Sequence, residues 1–193
     1  MSDYKTEDSV ELSFDDLHFD DVDAKMAEAA SEGVLGCGTY LATGTETKMT
    51  LVNDRQQASI QFQLTDDNGR KLRKVRVKVS WQAAYAANGR VDKMFKMYSQ
   101  LVKAVGAADG SPLEVLPLAK EVPVKLNISE AYLVDAADAH EDHADRNQTD
   151  DGKIWAILAR TTEENAAEVH AVRVHYLSKG LDPIYLTQNI YSA

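Results

Sequence analysis

A mainly β, α+β fold is predicted by three features of the 193-residue chain: strict two-residue alternation in several short stretches, one stretch with helical periodicity, and turn residues at the breaks between them. Ile60, Phe62 and Leu64 share one side of the stretch 59–64, and Val75, Val77, Val79 and Trp81 share one side of 74–81. Val91, Met94, Phe95, Tyr98, Leu101, Val102 and Val105 recur at the spacing of one helix face.

Taken in order, residues 1–32 form an acidic N-terminal segment with 11 acids against 2 bases. The stretch 14–22 interleaves Phe14, Leu17, Phe19 and Val22 with carboxylates. A short helix is expected over 21–32, ended by Gly33, and residues 1–12 are expected to be mobile because they have little apolar surface to bury. A single β domain is expected over 33–193. Its first strand runs over 39–48 and its second over 59–64, and Asp66-Asp67-Asn68-Gly69 then supplies a hairpin turn in which Asn-Gly tolerates positive φ. The third strand covers 74–81. The helix over 91–105 follows, with Asn88 or Gly89 ahead of it and Gly106 at the position of a C-terminal cap. Gly110-Ser111-Pro112 is a turn. The fourth strand begins at 122 and extends toward Val134, with Pro123 marking a strand start or an edge. An acidic loop spans 135–152. Further strands are expected over 154–160 and 169–177, with 163–165 as the turn between them, and the apolar stretch 184–191 as the last.

Strand, strand, strand, helix, strand, strand is the order of an OB-fold, so the expected architecture is an OB-fold-like Greek-key barrel with one helix between the third and fourth strands, plus a C-terminal strand extension. A generic α+β sheet has the same order of elements.

The net charge of −10 argues against a polyanion partner, but the distribution reverses that argument locally. Residues 55–103 hold 11 bases and 3 acids, while 1–32 and 104–193 are both strongly acidic. A positive block inside an acidic protein creates a local field that steers ligands. On the polar side of the predicted hairpin, Gln57, Ser59, Gln61 and Gln63 face outward beside Lys74, Arg76 and Lys78, with Arg70, Lys71 and Arg73 near the turn. Lysine and arginine neutralise phosphates and release counterions. Arg90, Lys93 and Lys96 add charge around the helix, and Tyr40 and Tyr85 are the aromatic residues free to stack on bases, Trp81 and Tyr98 being assigned to the core by their periodicity. The bland alternative is a solvated outer face.

Several classes find no support. No apolar stretch has the length of a membrane span, and Met1–Lys5 does not open a signal peptide. One cysteine, Cys37, excludes an intrachain disulfide, and no base beside it points to a reactive thiol. Gly33, Gly36 and Gly38 lack the ending of a phosphate loop. His140 and His143 stand in an acidic loop at a spacing that fits no zinc motif, and a solvated loop is expected there. His170 and His175 are expected on the surface or rim. Neither cofactor, metal nor catalytic residue is assigned.

The Ile60–Leu64 and Val75–Trp81 hairpin around Asp67-Asn68-Gly69, the Met94–Gly106 helix and the later strands together resemble phage-encoded single-stranded DNA-binding proteins with an OB-fold, over roughly residues 38–177. The resemblance implies non-catalytic, sequence-tolerant binding of single-stranded DNA in replication or recombination, in a host cytoplasm. Proteins of that kind usually carry an acidic tail at the C-terminus. Here the chain ends Asn189-Ile190-Tyr191-Ser192-Ala193 and the acidic segment is N-terminal, so partner recruitment by the C-terminus is not carried over. RNA and a second copy of the chain are further partner expectations, and the acidic N-terminal segment is a candidate docking element. The competing function is a structural or adaptor protein, such as a viral assembly component, whose basic face meets an acidic protein surface.

Overall fold

The structure is a computed structural model, and it describes residues 19–85, 89–144, 146 and 148–193. The segment expected to be mobile, 1–12, lies outside the described residues. Helix α1 spans Phe19–Glu32, followed by strands β1 (Gly38–Val52), β2 (Arg55–Thr65) and β3 (Lys71–Val79), helices α2 (Lys93–Val105) and α3 (Pro112–Glu121), strands β4 (Val124–Asp135) and β5 (Lys153–Ile157), helix α4 (Ala166–Ser178) and strand β6 (Ile184–Ser192). The mainly β, α+β class is as the sequence indicates.

The first three strands form an antiparallel meander whose alternation fixes its inner side. Ile60, Phe62, Leu64 and Val79 are fully buried, and Val75 and Val77 nearly so. The β2–β3 turn closes on Asp66, whose Oδ1 accepts from the backbone N–H groups of Asn68 (3.0 Å) and Arg70 (2.8 Å). Gly69 supplies the positive φ. The β1–β2 turn is made by Asn53 and Asp54, both with positive φ, the geometry that suits a tight hairpin. Because that turn comes late, β1 runs to Val52 rather than stopping at Lys48.

Strand β4 is the hub. One of its edges carries β1 over Val124–Ile128 and then β5 over Ala131–Asp135, and the other edge carries β6. The path β3-β2-β1-β4 is therefore a Greek key, with the long connection between β3 and β4 holding α2 and α3. The expected single helix is two helices. Ser111 caps α3 by accepting from the Leu113 N–H, and Pro112 occupies the first turn, where a missing N–H costs nothing. Pro117, inside the helix, masks it in the sequence.

No β3–β6 ladder joins the ends of the sheet among the described residues, so the expected barrel stands open. Helix α2 occupies the seam. Its Gln100 accepts from the Ile190 N–H at 3.0 Å and donates to Asn189 Oδ1 at 3.0 Å, taking the edge of β6 where a ladder would form. Asp92 caps α2 through the N–H groups of Met94 and Phe95, and Gly106 closes it with positive φ.

The strand expected over 169–177 is helix α4. Val169, Val172 and Tyr176 are its buried residues, a spacing of three and four that belongs to a helix face and not to a strand. With α4, β5 is an insertion between β4 and β6, enclosing a second apolar cluster of Tyr132, Val134, Ile154, Ala156, Leu158, Val169, Val172 and Tyr176. Helix α1 packs on α4, where Ala27 is buried and Glu28 meets His170 at 2.9 Å.

Candidate nucleic-acid interface

The buried alternation of β1–β3 leaves the opposite parity on an outer face that no helix covers. Residues directly paired across antiparallel strands point to the same side, so the register lays out this face in transverse rows. One row is Lys48–Ser59–Lys78, the next Glu46–Gln61–Arg76, and the next Thr43–Gln63–Lys74. Lys48, Lys74, Arg76 and Lys78 are exposed, and the glutamines are half-buried between them. Glu46 is the acid in these rows.

The first row opens into a hollow of about 270 Å³ walled by Lys48, Thr50, Val52, Gln57, Ser59, Arg76 and Lys78. The Ser59 hydroxyl oxygen is buried there with no hydrogen-bond partner among the described residues. Three cations around an orphan hydroxyl, with Gln57 at the wall, form a setting suited to an anionic oxygen. Lys48 was not singled out in the sequence because it lies beyond the basic block.

The predicted contact residues divide by location. Gln61, Gln63, Lys74, Arg76 and Lys78 share the outer face, and Lys71 joins it opposite Thr65. Arg70 sits in the turn, its Nε 3.3 Å from Asp66 Oδ2. Arg73 has the inner parity of Val75, and its guanidinium lies 5.0 Å from the centroid of the Tyr185 ring on β6, so it bridges the seam rather than the outer face. Lys93 and Lys96 are exposed on α2, whose apolar residues pack on the inner side of the sheet, and so belong to the opposite surface from Arg76. Partial desolvation by its surroundings first, and the charge of Lys96 second, hold the Lys93 ammonium below its usual pKa. Arg90 is in the loop between β3 and α2, anchored by the 2.6 Å Arg55–Asp92 ion pair.

The two aromatic candidates separate as well. Tyr40 is half-buried on the inner core and its hydroxyl donates to the Gly36 carbonyl at 2.7 Å, which removes it as a stacking platform. Burial raises its pKa, with neighbouring Cys37 adding to the shift. Tyr85 is 72% exposed and bridges Val91 in the β3–α2 loop. Tyr98 is buried as expected, with its hydroxyl donating to the Gly110 carbonyl at 2.6 Å. Trp81 is half-buried, its ring 6.0 Å from that of Tyr98 and its Nε1–H donating to Gln56 Oε1.

The acidic loop, expected from its sequence to be solvated, holds a buried group. His143 is 5% exposed. Its Nε2–H donates to the Ile157 carbonyl (3.1 Å), which leaves Nδ1 to accept from the Tyr176 hydroxyl (2.8 Å). Both ring nitrogens are engaged, and among the described residues no group of three or more His, Cys, Asp or Glu could hold a metal ion. Cys37 lies between β1 and β5, its sulfur accepting from the Glu130 N–H and its thiol donating to the Leu158 carbonyl, and burial raises its pKa.

No family model, curated protein or solved structure matches the chain.

Proposed function

We propose that the protein binds single-stranded DNA without catalysis and with little sequence preference, through the outer face of β1–β3, in replication or recombination and in a cytoplasm. The observation that carries this reading is the set of paired rows in which Lys48, Lys74, Arg76 and Lys78 stand beside half-buried glutamines around the Ser59 hollow. Cations that neutralise phosphates give affinity independent of sequence, and glutamine amides adapt to whatever base or sugar edge is presented. An open sheet with an uncovered face accommodates an extended strand. Phage-encoded single-stranded DNA-binding proteins, which the chain resembles in layout, are the functional analogue.

Fluorescence anisotropy with labelled oligothymidine, a matched duplex and an unstructured RNA tests the proposal. Binding that favours the single strand and weakens as salt rises supports it. An absence of binding at low salt rejects it, and stronger binding to the RNA reassigns the substrate.

A second reading, a structural or adaptor protein, draws on a separate surface. Met49 (60% exposed) and Leu113 (86%) lie on a groove between β1 and α3, where Pro112, Leu116 and Pro117 add apolar lining and Thr47, Lys120 and Glu121 a polar edge. Apolar surface gathered in this way marks protein contacts in many proteins. A mass by light scattering that corresponds to a large ring or filament, together with no DNA binding, favours this reading. Among the described residues no helix is long and apolar enough to cross a membrane.

A further inference from the structure

One transverse row crosses five of the six strands of the open sheet. Lys71 on β3 pairs with Thr65 on β2, Thr65 with Leu41 on β1, Leu41 with Lys125 on β4, and Lys125 with Tyr191 on β6. Each pair is directly opposed, so all five side chains emerge on the outer face. With neighbouring strands about 4.8 Å apart, the row is roughly 19 Å long. A lysine lies near one end, a second lysine lies beside the other, and the far end is an aromatic ring that is 47% exposed. The adjacent row, Thr43–Gln63–Lys74, joins this one to the basic part of the face.

From this geometry we infer that Tyr191 is a base-stacking platform and Lys125 its adjoining phosphate contact, so that a bound single strand crosses the sheet from β3 to β6 instead of remaining on the hairpin. The inference rests on the reading of the outer face as a single-strand site and adds its path. It also supplies the aromatic surface that the basic rows lack. Tyr40 is turned inward, and Tyr85 is outside the sheet, whereas Tyr191 is on the face itself. Leu41, 40% exposed in the middle of the row, gives apolar surface on which a sugar or base can rest.

The test uses the full chain and labelled oligothymidine, with wild type, Y191A, Y191F, K125Q and the face variant R76E/K78E, each checked for an unchanged thermal melt. Loss of one stacked base is worth about 1–3 kcal/mol, so Y191A is expected to raise Kd by about 5- to 150-fold, while Y191F stays within about twofold of wild type. K125Q is expected to lower the slope of log K against log salt by about one phosphate. If wild type binds and R76E/K78E does not, but Y191A and K125Q match wild type, the inference is overturned while the hairpin face stands. If Y191F is as weak as Y191A, the hydroxyl rather than the ring is responsible and stacking is overturned. If wild type itself does not bind, the single-strand reading fails and the inference fails with it.

Discussion

Arg173 on α4 grips both carboxylate oxygens of Glu130 on β4, at 2.9 and 2.7 Å, and Glu130 is fully buried. The Tyr132 hydroxyl donates to the same carboxylate at 2.9 Å. The carboxylate points to the inner side of β4 at the junction between the two apolar clusters, and its charge is tolerable there because its oxygens are held by a bidentate guanidinium and a phenol. The pair therefore pins the inserted α4 to the central strand.

Removing one partner of such a pair strands a charge in the interior. R173M is expected to lower the unfolding free energy by about 3–5 kcal/mol, because Glu130 then lacks compensation. E130Q/R173M, which removes both charges, is expected to recover part of that loss. Urea unfolding followed by circular dichroism checks the order wild type, double variant, single variant. A single variant as stable as wild type would show that the pair does not hold α4 in place.

Gly44 makes a different demand. A Cβ added there would come 2.4 Å from the Ala119 carbonyl oxygen of α3. Backbone cannot move aside cheaply, so G44A is expected to destabilise by about 1–3 kcal/mol or to push α3 off β1. Gly106 is the contrast: a Cβ there meets nothing within 4 Å, and its φ of +70° alone penalises a side chain, so G106A is expected to cost about 1 kcal/mol. Comparative thermal melts separate the two causes, and a G44A melt no lower than that of G106A would remove the close-packing explanation.

His143 gives the fold an acid limit. Burial, first, and then Arg146 push its pKa below the usual 6.5, against the opposing pull of the Ile157 carbonyl and Asp142. The unfolded chain binds the proton more readily than the native one, so the stabilisation from neutral His143 is complete above about pH 6.5 and declines as pH falls through the folded value. The prediction is a melting temperature that drops from pH 7 toward pH 5, with a shallower drop in H143Q, whose amide can still donate to Ile157. Equal slopes in the two proteins would remove His143 as the source.

What the sequence made legible was the meander, and the reason is physical. One side of β2 and β3 faces a core and the other faces solvent, so burial writes a two-residue alternation into Ile60–Leu64 and Val75–Val79. Helix α2 was legible from its single buried stripe. Helix α4 was not, because half-buried Val174 sits between the buried Val172 and Tyr176, and the apolar residues there consequently alternate with Arg173 and His175 as in a strand. The candidate site was legible only in part. Lys74, Arg76 and Lys78 follow from parity, but parity within one strand does not show which residues of β1, β4 and β6 complete their rows. Lys48, Lys125 and Tyr191 enter through pairing between strands distant in sequence. Arg73 was placed with its neighbours by proximity alone, whereas its register turns it to the Tyr185 ring.

This separation of charges by surface gives a sharp test of the proposed face. R76E/K78E reverses two exposed cations that line the Ser59 hollow and touch no core residue by parity. It is expected to weaken oligothymidine binding on the order of tenfold or more at low salt while leaving the melt unchanged. K96E makes a charge change of the same kind on α2, across the sheet, and is expected to alter binding only through the general field, by about twofold. R73E is a third case, since it breaks the contact with Tyr185 and is expected to lower stability more than affinity. Anisotropy at two salt concentrations, with a melt for each variant, resolves all three. Equal losses from K96E and R76E/K78E would mean that the charge of the whole protein, and not the outer face of β1–β3, attracts the strand. Losses confined to R76E/K78E would place the phosphates on the rows that the β2–β3 register defines, because those two side chains share a surface with Lys48 and Ser59 and with neither Arg73 nor Lys96.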